Sequence, residues 1–196
     1  MNEDVGARIR RIHAAIAETI EEDLSTFGAK PLPGGIGTDF RGELTEEQIV
    51  NLAHMAIQNV ANLGDHLRAW CRRNGEDQRR VDSAIKGSRA LKTILDLANN
   101  DKHGYPPRGG GHTGRSLRLK SVERALQVTA GPESPQSSVV MSFDGRPPVV
   151  TGGLANVVIT GEIVDRKGKT VGDLHETLTG AVAAWERLVR ELGITL

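Results

Sequence analysis

The sequence predicts an α+β fold: a helical bundle of about four helices, with a small antiparallel β-meander inserted before the last helix. Apolar residues recur every three or four positions over much of residues 5–104 and again after residue 171, which is the spacing of amphipathic helices. Between these regions, runs rich in valine and isoleucine alternate with turn sequences, as in antiparallel strands. Because helices and strands are segregated along the chain, in the order αααβββα, an α+β architecture is favoured over alternating α/β units.

Length and composition favour one domain covering residues 1–196. The chain is 38% hydrophobic and 26% charged, typical of a globular protein with a hydrophobic core. Its one cysteine, Cys71, cannot form an internal disulfide and is expected to be a core thiol. No apolar run approaches the roughly 18 residues of a membrane span, and the start of the chain lacks the apolar region of a signal peptide. We therefore expect a cytoplasmic protein without membrane association.

The first predicted helix begins near Val5 and carries one apolar stripe that ends at Phe27-Gly28. The stripe consists of Ile9, Ile12, Ile16, Ile20 and Leu24. The following segment, "AKPLPGGIGTDFRGE" (29–43), contains two prolines and four glycines without periodicity. It is predicted to be a long connection without a strand.

The second predicted helix begins with a capping box, in which Thr45 and Gln48 bond each other's backbone amides, and it ends at Asn74-Gly75. The third predicted helix runs from near Asp77 to Gly104, before two prolines at 106 and 107. Because the connection between these helices is short, they should be antiparallel neighbours whose paired positions sum to roughly 151.

The remaining segments are a loop, a sheet and a helix. Residues 105–115 form a Gly/Pro-rich loop, and residues 116–168 contain about three strands joined by the turns "DGRPP" and "DRKGK". Helical spacing returns over residues 171–194, where it predicts the C-terminal helix.

Several motifs of known chemistry are incomplete or missing from the sequence. "GGGHTGRS" (109–116) approaches a phosphate-binding Walker A loop, but Arg115 replaces the lysine. A phosphate loop also needs a strand before it and a helix after it, whereas the prediction here is the reverse. We therefore expect a flexible linker. The sequence has no CxxC, HExxH or GxSxG motif, and its six histidines include no i, i+4 pair. No metal and no cofactor are predicted.

The stretch "LDLANNDKHGYPPRGGG" (95–111) is the candidate functional site. Asp96, Asn99, Asn100 and His103 fall on one side of a helix, because positions i, i+3, i+4 and i+7 are neighbours. The predicted hairpin register brings the end of this helix near the start of the second helix. The candidate binding residues are Asn51, His54, Asp96, Asn99, Asn100, Asp101 and His103.

Two other interpretations of this stretch stay open. Asn and Asp favour helix ends, and Lys102 and His103 suit the negative end of the helix dipole, so the cluster could be only a polar helix terminus. The remaining interpretation is catalysis by His103 together with Asn99 and Asn100.

The charge distribution suggests a second site. Residues 66–124 contain fourteen basic and six acidic side chains, although the whole chain has a formal net charge of zero. Such a block is either a footprint for nucleic acid or a solvated face. The residues that would contact nucleic acid are Arg72, Arg73, Arg79 and Arg80.

The helical hairpin of residues 45–104, ending in "DLANNDKH", and the final helix resemble uncharacterised bacterial proteins with a HEPN-like helical bundle. HEPN ribonucleases carry an arginine, a polar residue next to it, and a histidine four to six positions later. His103 has no arginine at that distance, and in the Arg8–His13 pair the residue after the arginine is Ile9. The resemblance implies the bundle and does not extend to the ribonuclease motif.

The sequence thus predicts a binding or accessory protein without catalysis, with a role in defence suggested by the resemblance. The alternatives are a HEPN-like RNA-cleaving enzyme and an electrostatic nucleic-acid-binding module. RNA or a protein is the expected partner. We also expect a homodimer held mainly through helices, which light scattering would test.

Overall fold

The computed structural model describes residues 5–32, 35–104, 108–130, 136–142, 144 and 146–195. Their fold is α+β, as predicted. The described helices are α1 (Val5–Ile20), α2 (Glu46–Asn74), α3 (Arg79–Gly87), α4 (Arg89–His103) and α5 (Leu174–Glu191). The described strands are β1 (Glu21–Asp23), β2 (Lys30–Leu32), β3 (Gly35–Gly37), β4 (Arg118–Leu119), β5 (Glu123–Ala130), β6 (Ser138–Val140), β7 (Val149–Thr151), β8 (Gly153–Thr160), β9 (Glu162–Val164) and β10 (Thr170–Asp173).

Helix α2 lies in the middle of the helical part and packs against α1, α4 and α5. The predicted capping box is present at its start: Gln48 N donates to Thr45 Oγ1, and Thr45 N donates to Gln48 Oε1. The helix ends at Gly75, whose φ of 72° lies in the left-handed region that glycine adopts without strain. Both ends of α2 are therefore where local sequence signals predict them.

The third predicted helix is in fact two helices, so the prediction of one continuous helix from Asp77 to Gly104 is wrong. Ser88 interrupts it with an extended backbone (φ −108°, ψ 117°), and its hydroxyl oxygen accepts from Leu91 N. The serine thus caps α4 directly after α3 ends. The predicted end at Gly104 is confirmed, while prolines 106 and 107 lie outside the described residues.

The N-terminal part also differs from prediction. Helix α1 ends at Ile20, and the next three residues form β1, which pairs with β8. The segment predicted to lack strands contains the β2–β3 hairpin. Periodicity missed β1 because its partner strand lies more than 130 residues further along the chain.

The described strands form two three-stranded antiparallel sheets and two hairpins, where a simple meander was predicted. One sheet has the order β1-β8-β5 and the other β10-β9-β4, while β2 pairs with β3 and β6 with β7. Gly161 joins β8 to β9 at the point where the chain passes from one sheet to the other. A side chain there would lie 2.2 Å from the Ser121 carbonyl oxygen, so only glycine fits this crossing.

The main hydrophobic core joins the helices to the β10-β9-β4 sheet. Trp185 of α5 is buried against α2, where its indole donates to the Val60 carbonyl at 2.9 Å and its ring packs over Gly64. Ile163 of β9 and Leu117 belong to the same cluster. A smaller core elsewhere consists of Leu24, Phe27, Ala155 and Val157. Among the described helices, none is long and apolar enough to cross a membrane.

Candidate functional site

Three of the predicted site residues meet in one groove between α2, α4 and β4. His54 Nδ1 lies 3.0 Å from Asp101 Oδ1, and Gln58 donates to Asp101 Oδ2 at 3.0 Å. Asn100 donates from its side chain to the Leu117 carbonyl at 3.3 Å. His54, Asn100 and Asp101 line a groove of about 350 Å³ with an apolar floor that includes Ile57 and Leu97. We refer to it as the polar groove.

His54 and Lys120 set the electrostatics of the polar groove. His54 Nδ1 is shielded from solvent and makes no hydrogen bond of acceptable geometry with another described residue, although Asp101 is close. Lys120, on the opposite wall, is paired with Glu162 at 2.8 Å. The hydrogen bond from Lys120, and a second one from Thr170, lower the pKa of the Glu162 carboxyl.

The other predicted residues lie outside the polar groove. Asn51 and His103 are exposed, Asn99 is half-buried, and none of the three lines the groove. His54 and Gln58 both contact Asp101, whereas the predicted register pairs position 101 with a position near 50. The predicted sum of 151 is wrong by about one helical turn or more, because the break at Ser88 shifts α4 relative to α2.

Asp96 has a separate role from its neighbours on α4. Its side chain is fully buried and accepts from His112 N at 2.7 Å, from Thr113 N at 2.9 Å and from the Thr113 hydroxyl at 2.6 Å. All three donors belong to the segment of residues 109–116, which we call the glycine loop. The carboxylate therefore anchors this loop onto α4.

The glycine loop is folded around Asp96, and the expectation of a flexible linker is wrong. Gly109, Gly110, Gly111 and Gly114 have φ between 65° and 87°, which lets successive amides turn toward one point. A side chain at Gly111 would lie 2.2 Å from Asp96 Oδ1. Arg115 N and Ser116 N both donate to the Gly110 carbonyl. Because these amides are already bonded within the protein, they cannot form the phosphate cradle that the Walker-like sequence suggests.

The side chains around the glycine loop form a strongly basic cleft. Its cationic residues are Arg89, Lys92, Arg115, Arg166, Lys167 and Lys169. They come from the start of α4, the glycine loop and the β9–β10 turn. Arg166 N donates to the Arg115 carbonyl at 3.4 Å, which ties the turn to the loop. We refer to the whole surface as the basic cleft.

Two adjoining cavities, of about 430 Å³ and 750 Å³, make up the basic cleft. They share Arg89, Arg115 and Val171, so they form one continuous surface. Their size is that of a site for an organic ligand or for a few units of a chain molecule.

The positive charge of the basic cleft is largely unneutralised. Arg89 donates to the Val171 carbonyl, and within the described part of the chain the other five cationic side chains form no ion pair. Asp165, the acidic residue of the β9–β10 turn, accepts from Lys167 N at 2.8 Å and from Lys169 N at 3.0 Å. Asp173 caps α5 and accepts from the Thr160 hydroxyl. These two carboxylates are thus engaged in holding the fold.

The arginines predicted to contact nucleic acid lie at the junction of α2 and α3 and do not line the basic cleft. Arg80 pairs with Glu76 at 3.0 Å, and Arg72 donates to Gln78. Arg73 and Arg79 are exposed. The sequence contained a signal for the cleft, because "DRKGK" places three cations in five residues, but we interpreted it only as a turn.

Neither a metal site nor a reactive thiol is supported by the described residues. No group of three or more His, Cys, Asp or Glu side chains that could hold a metal occurs among the described residues. Cys71 is fully buried, and this burial raises the pKa of its thiol, so the reactive thiolate is disfavoured.

Comparison with known proteins found no matching family model and no significant match among curated proteins or solved structures. The HEPN-like resemblance therefore stays a prediction.

Proposed function

We propose that this protein functions by binding, and that the basic cleft binds the sugar-phosphate backbone of single-stranded nucleic acid. The observation that supports this most strongly is the set of five cationic side chains that face one cleft without an ion-pair partner among the described residues. Binding of phosphates to unneutralised Lys and Arg side chains is favourable, because it releases the counterions that surround the nucleic acid. Six cationic side chains line the cleft against three carboxylates, those of Asp165, Asp173 and Glu176, so a net positive charge is left for an anion.

A single strand suits the cleft better than a duplex. The bases of a single strand are unpaired, and they stack on flat side chains such as histidine and arginine. His112 and Arg115 are exposed and line the cleft, so both types of contact are available beside the cationic groups. The cleft is also a concave surface, whereas readout of a duplex requires an element that enters a groove.

Fluorescence anisotropy with a labelled RNA of about 12 nucleotides, a length typical of single-strand sites, tests this proposal. The variant R166Q/K167Q/K169Q removes three charges from the cleft. We expect affinity to fall at least tenfold and the slope of log K against log salt to decrease by about two, because each phosphate contact contributes roughly 0.7.

The matched control is R72Q/R73Q/R79Q, which removes the same charge from the α2–α3 junction. It should bind RNA almost as tightly as the parent protein. Absence of binding by the parent at low salt, or equal weakening by both triple variants, contradicts the proposal. Cleavage of the labelled RNA on a denaturing gel would instead favour the RNA-cleaving alternative.

The polar groove is a second candidate binding site. Its support is the shielded His54 Nδ1, which lies 3.0 Å from Asp101 Oδ1 but outside hydrogen-bond geometry, beside an apolar floor. Buried polar atoms of this kind normally have a partner, which a ligand can supply. Ligand-observed NMR with a fragment library of amides and carboxylic acids should give hits that H54F abolishes and N51A leaves unchanged. Hits that persist in H54F would exclude the groove.

A further inference from the structure

The two ends of the basic cleft differ in chemistry. The outer end carries the β9–β10 turn with Arg166, Lys167 and Lys169. The inner end is the cavity of about 430 Å³, which combines apolar side chains and hydroxyls with three cationic side chains and two carboxylates, those of Asp173 and Glu176. Leu117 and Ile163, both buried, form part of its floor. We call this inner end the inner pocket.

We infer that the inner pocket receives a nucleobase of the bound nucleic acid, and that guanine is the base that fits it best. This inference rests on the proposed function and adds a base preference to it. An apolar floor with a few polar groups on the walls suits a flat, amphipathic base.

Glu176 is the side chain that gives the inner pocket its selectivity. It is exposed on the first turn of α5 and lines the pocket. Its carboxylate makes no hydrogen bond or ion pair with another described residue, unlike that of Asp173, which bonds Glu176 N and Thr160. The positive end of the helix dipole stabilises a negative charge at this position. Glu176 is therefore a hydrogen-bond acceptor that a ligand can reach.

The preference for guanine follows from the donors and acceptors of the bases. An ionised carboxylate can only accept hydrogen bonds. Guanine presents an imino N–H and an amino group side by side, so both carboxylate oxygens can be bonded at once. Adenine and cytosine present an amino group beside a ring acceptor, and uracil presents its N–H between two carbonyl oxygens that a carboxylate repels.

The cationic side chains at the junction of the two cavities position the rest of the nucleotide. Arg89 and Arg115 line both cavities. A base in the inner pocket would therefore have its phosphate next to these two guanidinium groups. A free guanosine nucleotide and a guanosine within a strand share this chemistry, and the experiment below separates them.

The test measures binding of uridine oligonucleotides that differ only in one central base. We expect the parent protein to bind the guanosine-containing oligonucleotide about tenfold more tightly than the uridine-only one, within the range for a bidentate base contact. In E176Q this ratio should fall to about one, while the affinity for the uridine-only oligonucleotide stays equal or rises because a negative charge is lost. The variant R166Q/K167Q/K169Q should weaken both complexes and keep the ratio.

E191Q is the matched control, because it makes the same charge change at the other end of α5, and it should keep the parent's ratio. Competition by GMP and not by UMP identifies the free nucleotide as a ligand, whereas a base preference that GMP does not compete for requires a strand. Binding of all oligonucleotides with equal affinity overturns this inference alone, as does an unchanged ratio in E176Q. If the parent binds none of them, the proposed function fails and the inference with it.

Discussion

Two aspartates beside the basic cleft bind backbone amides in the same way but over very different distances in sequence. Asp165 accepts from the amides of residues two and four positions later. Asp96 accepts from the amides of residues 16 and 17 positions later, and also from a hydroxyl. Asp165 closes one turn, whereas Asp96 joins a helix to a loop. The same chemistry therefore gives local structure in one case and tertiary structure in the other.

The largest effect should come from Asp96→Ala. This change leaves two amides and the Thr113 hydroxyl without their acceptor at a fully buried site. Because each of the three hydrogen bonds to this carboxylate contributes about 1.5 kcal/mol or more, we expect the free energy of unfolding to fall by at least about 4.5 kcal/mol. Urea denaturation measures this loss. A loss as small as that of an Asp165 variant would show that the loop does not depend on its anchor.

Gly111→Ala should have the second largest effect, and Gly114→Ala is its matched control. Both glycines have positive φ, 65° and 71°, so each substitution costs about 1 kcal/mol of backbone strain. Only at Gly111 would the added carbon also lie 2.2 Å from Asp96 Oδ1, whereas at Gly114 it meets no atom within 4 Å. We therefore expect Gly111→Ala to destabilise the protein by about 2 kcal/mol more than the control. Equal melting temperatures for the two variants would contradict the packing of the loop on Asp96.

Thr113→Val removes one of the three donors to Asp96 and keeps the shape of the side chain. The expected loss of stability is about 1.5 kcal/mol, the contribution of one hydrogen bond to a charged acceptor. Thr113→Ser retains the hydroxyl and should recover most of this loss. If the serine variant is as unstable as the valine variant, the hydroxyl bond is not the cause.

Asp165→Ala should have the smallest effect. Its hydrogen bonds are local and its side chain is partly accessible to water, which can replace the carboxylate as acceptor. We expect a loss of about 0.5–1 kcal/mol, measured by urea denaturation. A loss approaching that of the Asp96 variant would mean that the β9–β10 turn contributes to the core and not only to itself.

The same contrast explains which parts of the fold the sequence could predict. Signals that act within a few residues were interpreted correctly, such as the Thr45–Gln48 capping box and the helix end at Gly104. Features whose partners are distant were missed, including β1 and the anchoring of the glycine loop. The break at Ser88 is local, but it was missed because the apolar residues on both sides of it have helical spacing.

The candidate sites follow the same division. His54, Asn100 and Asp101 could be grouped because an antiparallel hairpin has a predictable register, although the register was shifted by the break at Ser88. The basic cleft could not be assembled from the sequence, since Arg166 meets Arg115 only through the packing of a sheet against a loop.

The position of Trp185 has a consequence for the synthesis of the protein on the ribosome. The indole reaches back 125 residues to α2, and β8 reaches back to β1 near the start of the chain. A nascent chain that ends before residue 153 lacks β8 and α5, so the part of α2 that α5 covers stays open to solvent although α1 and α4 are already present. Contacts between residues so far apart in sequence also slow folding. We therefore expect α2 and β1 to complete their packing only after β8 and α5 have been synthesised.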